Sequence, residues 1–331
     1  MKRLLAGLLC AALLFCLCAC GHEAVSAPTL LLRYADNQPK GYPTTEAAEY
    51  FARLLEERTG GRIRIRIYAD AELGDEISVF RQLQFGGIDF TRVSVGTLAG
   101  FVPEMVILQL PYLFEDAEHM WRVLDGEIGE ELLGTVADTG VTGLSWFDAG
   151  ARNIYTRVPV RSLDDLEGLT IRVQESDFMS RMIRLWGASP VQMPYGEVYS
   201  ALQTGRIDGA ENNWPSYETT GHYEAAPYYL LDAHSRLPEL QLVSRITLDK
   251  IRALDPDYEE LLYSCAREAA LYERALWQER ERSSEALVRA SGCIVTEPDE
   301  KELDRFRSAV QPLYGGFSDP LQQLIERIRQ C

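Results

Sequence analysis

The sequence predicts two α/β units joined as a hinged pair with a cleft between them, and three observations carry that reading. Strand and helix patterns alternate over residues 30–95, the alternation resumes over 143–209, and residues 257–291 run without a glycine or proline. Such alternation favours a largely parallel sheet flanked by helices. A helix as long as the last run exceeds the needs of one unit, so it is expected to pass from one onto the other.

The elements follow in order. Residues 30–34 are a short apolar strand, and a polar turn spans 36–43. Over 44–59, Ala47, Ala48, Phe51, Leu54 and Leu55 recur at helical spacing until Gly60-Gly61 ends the pattern. The segment 62–68, RIRIRIY, alternates strictly and reads as a strand with one buried face. An amphipathic helix over 75–85 leads through Gly86-Gly87 into a strand at 88–95. In the second stretch, 143–147, 153–156 and 169–173 are strand candidates, with a capped turn at Ser162 in SLDD. Residues 178–186 and 197–204 are helical, and Gly205 to Gly209 close the latter.

The N-terminus sets the compartment. Lys2 and Arg3 precede an apolar run over 4–19, short for a membrane span and typical of a signal-peptide core. It ends in Leu17-Cys18-Ala19-Cys20, which resembles the bacterial lipobox and marks Cys20 as the acylated first mature residue. An ordinary signal peptide cut a few residues later is the alternative. Cys265, Cys293 and Cys331 remain, without metal-ligand spacing. A Cys293 to Cys331 bridge and three unpaired thiols both stay open.

A formal charge of −17 argues against nucleic acid, whose phosphates would be repelled. It does not exclude a small anion. At physiological salt the Debye length is about 8 Å, so an arginine in contact outweighs diffuse surface carboxylates.

Arg172 alternates with Ile171 and Val173 near the carboxyl end of its strand, where open α/β sheets place ligands. Its guanidinium matches a carboxylate in bidentate geometry, although a structural salt bridge is an equal alternative. Arg152, in a glycine-bearing turn, is a second carboxylate donor or a solvated loop charge. Asn212 offers an amide that donates and accepts, or plain turn chemistry. Tyr195 and Trp214 flank this loop as flat surfaces for a sugar ring, or as core.

Catalytic constellations are absent from the sequence: no G-x-S-x-G, H-E-x-x-H, Walker-type loop or G-x-G-x-x-G. The four histidines are scattered, and acidic pairs such as Asp164 and Asp165 are expected by chance among 50 acidic residues. Binding without chemistry, cofactor or metal is the reading. An enzyme acting on acidic sugars through Glu76 or Glu211 is the alternative from another class.

EVYSALQTGRIDGAEN over 197–212, GLTIRV upstream of it, LGDE at 73–76 and LPYLF at 110–114 closely resemble the solute receptors of tripartite ATP-independent periplasmic (TRAP) transporters, DctP type. The resemblance runs from about residue 30 to the C-terminus. It implies a two-lobed, periplasmic-binding-protein-like α/β fold with a long domain-spanning helix and a ligand cleft. After a signal peptide over 1–19 and a tether over 20–29, the first lobe is expected from 30–149 plus about 238–278. The second takes 150–237 plus about 279–331.

The resemblance also assigns roles. Arg172 falls on the family's carboxylate-binding arginine, Arg152 on an assisting one, Asn212 on the asparagine that fixes the same carboxylate, and Tyr195 on a packing aromatic. Asn37, Glu76, Ser94 and Glu175 fall on positions that line the cleft and vary with ligand class. A carboxylate is usual at Ser94 in sialic-acid receptors, so sialic acid is disfavoured. AENNWPSYE with GHYE and DAHSRLPE resembles a hexuronate-binding subgroup, while C4-dicarboxylates and other sugar acids remain open. The implied partners are a small organic acid and a membrane permease pair driven by an ion gradient. The expected protein is an extracytoplasmic, lipid-anchored monomer; delivery of a signal to a membrane sensor is a further alternative.

Overall fold

A computed structural model of the protein describes residues 30–331. The signal segment and Cys20 lie outside the described residues. Two sheets form the frame. The first contains β1 (Leu30–Ala35), β2 (Ile63–Tyr68), β3 (Phe90–Ser94), β4 (Val141–Phe147) and β10 (Glu239–Ser244), in the order β2-β1-β3-β10-β4. The second contains β5 (Arg152–Thr156), β6 (Thr170–Val173), β7 (Ser189–Gln192), β8 (Gly209–Asn212), β9 (Tyr228–Ser235) and β11 (Ile294–Thr296), in the order β11-β9-β5-β8-β6-β7.

The β1-helix-β2 crossover has the expected parallel pairing, and β1 is also parallel to β3. Its helix, Pro43–Arg58, begins with the proline at its first position and buries Ala47, Ala48, Phe51, Leu54 and Leu55. Both sheets are largely parallel, as expected, but each holds one reversed strand that the sequence pattern did not indicate. β10 enters the first sheet antiparallel to both β3 and β4, and β5 is antiparallel to β8 and β9. These strands belong to chain crossings between the units, which a local βαβ pattern does not encode.

The chain crosses at 148–151 between β4 and β5, and at 236–238 between β9 and β10. Gly150, at φ +59°, needs glycine twice over. A Cβ there would also lie 2.5 Å from Glu281 Oε1 and 2.9 Å from Trp277 Nε1.

The third link is the long helix Asp257–Ala290. Its Leu262, Cys265, Ala266 and Ala269 pack into the first core with Phe51, Leu54 and Leu55. Trp277 meets Tyr42 and Ala149 at the waist, and Val288 enters the second core beside Tyr155 and Tyr229. The C-terminal elements also touch both sides. Phe306, in the helix Glu300–Val310, packs edge-on against Trp186 with ring centroids 5.3 Å apart. Near the end of Asp319–Arg329, Ile328 O lies 2.8 Å from His119 Nε2. Cys265, Cys293 and Cys331 are all free thiols.

Candidate ligand-binding site

Both sheets aim the same kind of edge at the cleft. In the first, the carboxyl ends of parallel β1 and β3 meet the amino end of antiparallel β10, with Glu239 opposite Ser94. In the second, the carboxyl ends of parallel β6 and β8 meet the amino end of β5, with Asn153 opposite Asn212. Ligands of open α/β sheets collect at such carboxyl ends. A cavity of about 530 Å³ lies there, lined from both lobes.

Asn37, Glu76, Arg152, Arg172, Glu175, Tyr195 and Asn212 lie on its wall. Ser94 and Trp214 do not. The Ser94 side chain accepts from Gly96 N as a helix cap and faces Gln174 across the cleft at 3.2 Å. Trp214 stacks on Tyr229 with centroids 3.9 Å apart, inside the core of the second lobe.

Arg172 is 3% exposed and directs both Nε and Nη2 to the carbonyl of Met193, at 3.0 and 2.7 Å. Among the described residues no carboxylate comes within salt-bridge distance of it, so the structural ion pair weighed above is not formed. Burial, assisted by nearby Arg152, lowers its pKa against the pull of Glu211. A buried guanidinium without a counter-ion is costly, and Arg172 keeps free N–H groups beside the cavity.

Arg152 is different. Glu211 grips its Nε and also accepts from Nη2 at 2.9 Å, while the Glu211 backbone carbonyl takes a second Nη2 contact at 2.9 Å. Burial opposes the Glu211 charge, but Arg152 and His234 prevail and pull its pKa down to about 2. His234 sits behind this pair, with Nδ1 2.7 Å from Asp232 Oδ2. Its Nε2 lies 3.5 Å from Glu211 Oε2, close enough for ionic attraction but not aligned as a hydrogen bond. Burial works against its charge, yet the two carboxylates raise its pKa to about 9.

This network orients Asn212. Its Oδ1 accepts from Arg152 Nη1 at 3.1 Å and from Asn213 N at 2.9 Å, which leaves the amide N–H groups as donors. His222, also on the wall, lies 2.7 Å from Tyr155 Oη. Burial, then the Arg172 cation, lowers its pKa to about 3, so the ring is neutral. The second lobe therefore presents one open cation and a fixed amide donor, suited to a carboxylate.

Arg92, buried in β3, is the principal wall residue that sequence reasoning missed. Its Nη1 meets Glu76 and, at 3.2 Å, Glu239; its Nη2 meets Asp36 at 2.5 Å and Asn37. Thr97 Oγ1 donates to the other oxygen of Glu76 at 2.8 Å. Burial and the neighbouring acids raise the Glu239 pKa to about 8 despite Arg92, and its Oε2 has no hydrogen-bond partner among the described residues. The only sequence signal for Arg92 is a charge inside the apolar run FTRVSV. Among the described residues, side-chain hydrogen bonds between the lobes include Tyr42 Oη to Ser216 Oγ at 3.0 Å, Ser94 to Gln174, and Ser176 Oγ to Gln109 Oε1 at 2.5 Å.

Residues 34–319 match the family described as bacterial extracellular solute-binding protein, family 7 (DctP). A TRAP periplasmic solute-binding protein from Xanthobacter autotrophicus, solved with bound β-D-galacturonate, superposes with a TM-score of 0.87 at 41% identity, covering 91% of this chain and 99% of its own. Its counterpart from Pseudomonas putida, solved with D-glucuronate, gives 0.87 at 37% identity, covering 91% and 97%. A solute-binding protein from Chromohalobacter salexigens is 39% identical over 280 residues, 84% of this chain and 82% of its own.

Proposed function

The chain belongs to the bacterial extracellular solute-binding proteins of family 7, and from that premise we propose that it captures a hexuronate such as D-glucuronate or D-galacturonate and delivers it to a membrane permease. The observation that carries the ligand class is Arg172, a buried guanidinium without a carboxylate partner among the described residues, opening on the cavity. The uronates bound by the Xanthobacter and Pseudomonas relatives support the sugar-acid assignment.

Arg172 and the amide of Asn212 hold the carboxylate. Tyr195 packs on the ring, and Asn37, Glu76 and Glu239 take the hydroxyls from the first lobe. Arg152 acts indirectly, by fixing Asn212. The lobes, divided near 148–151 and 236–238, rotate about these crossings and the long helix to close over the ligand. The closed form is what the permease recognises. Capture involves no bond-making, so bound uronate is recovered unchanged. Cys20 carries the lipid that keeps this monomeric receptor at the outer face of the membrane, consistent with the apolar run before it.

A thermal-shift panel of uronates, other sugar acids and C4-dicarboxylates tests the proposal. A ligand that binds only the folded form raises its melting temperature. D-glucuronate or D-galacturonate should give the largest shift. No shift with either uronate, beside a clear shift with a neutral sugar, would refute it.

A further inference from the structure

Of the three arginines on the cavity wall, two are already ion-paired with carboxylates of the chain. The two terminal NH₂ groups of Arg92 serve Glu76, Glu239, Asp36 and Asn37. Those of Arg152 serve Glu211 and Asn212. Of these three, Arg172 alone has no carboxylate of the described residues on any of its N–H groups. The first lobe thus surrounds a single guanidinium with three carboxyl groups, and one of them, Glu239, keeps an oxygen without a partner.

We infer that the cavity admits one carboxylate and rejects a second: the acid end of the ligand meets Arg172, and the opposite end must be a neutral, hydroxyl-bearing one set against Glu76 and Glu239. This rests on the sugar-acid reading of the cavity and narrows it. Uronates, whose far end is a hemiacetal, satisfy both walls. The corresponding aldarates, oxidised at that end, bring a second anion against Glu76, where both terminal nitrogens of Arg92 are already engaged by acceptors of the chain. C4-dicarboxylates fail for the same reason. Like charges juxtaposed in a desolvated site are a strong discriminator, because no solvent relieves them. The receptor therefore separates a uronate from its own oxidation product.

Calorimetry at pH 7 with matched pairs, D-glucuronate against D-glucarate and D-galacturonate against galactarate, tests this. Each aldarate should bind at least about a hundredfold more weakly than its uronate. An aldarate within tenfold of its uronate overturns the inference while leaving the carboxylate site standing. Failure of both members of both pairs to bind overturns the sugar-acid reading and the inference together. Glu76→Gln removes one wall charge and leaves half of Arg92 less firmly held. In protein shown to be folded by thermal unfolding, it should narrow the uronate-to-aldarate ratio by at least about threefold, and an unchanged ratio in that folded variant contradicts the role given to this wall.

Discussion

Glu211 holds Arg152 in a two-pronged ion pair across β8 and β5, with both side chains buried, and this pairing leaves Arg172 as the open guanidinium of the cavity. Breaking a buried pair from one side strands the other charge, at a cost of about 3–5 kcal/mol. Glu211→Gln should therefore lower unfolding free energy by that order in urea titrations. It should also weaken uronate binding, because the anchor of Asn212 loosens.

The same network sets a two-sided pH profile. The Glu211 pKa is depressed from 4.5 to about 2, so its stabilisation is present above 4.5 and is lost as pH falls toward 2. His234 is raised from 6.5 to about 9, so its contribution is full below 6.5 and is lost as pH rises through 9. The alkaline loss is on the order of 3 kcal/mol. His234→Asn should be less stable at pH 6 and should flatten the profile between pH 6.5 and 9, as read from denaturant midpoints.

Glu239 adds a separable alkaline slope. Its folded pKa of about 8 lies above the ordinary 4.5, so its contribution is greatest below pH 4.5 and is lost as pH rises through 8. Glu239→Gln should match the wild type near pH 5 and exceed its stability at pH 9 by the order of a few kcal/mol. Equal stability at pH 9 would count against an uncompensated carboxyl there.

Tyr42 and Ser216 join the lobes through a buried hydrogen bond of 3.0 Å. Such a bond is worth about 0.5–1.5 kcal/mol net. Tyr42→Phe should therefore speed uronate dissociation by about two- to tenfold in stopped-flow displacement, with little change in association.

The elements most legible in the sequence are those governed by local periodicity. The helix Pro43–Arg58 and the long helix Asp257–Ala290 fall within a residue or two of their expected limits. Arg172 was legible because alternation with Ile171 and Val173, plus the strand's carboxyl end, places it without long-range information. The state of Arg152 was not, since its partner depends on the antiparallel register that sets Asn153 against Asn212 and Ile154 against Glu211. Arg92 was hidden for a related reason. Its acceptors come from segments as far apart as Asp36 and Glu239, and β10 reaches β3 only after the chain has built most of the second lobe. Trp214 had the composition of a ligand platform but finds Tyr229 first.

The central claim is that Arg172 is kept buried and without an acidic partner so that a ligand carboxylate can fill that role. Calorimetric titration of Arg172→Ala with D-glucuronate, beside the wild type and with folding verified by thermal unfolding, tests it most directly. Removing one partner of a buried charge pair costs about 2–5 kcal/mol, so affinity should fall by about thirtyfold to several thousandfold. The ligand-free variant should melt no lower than the wild type, since it loses an uncompensated charge. Undiminished uronate affinity in a folded Arg172→Ala protein would contradict the account.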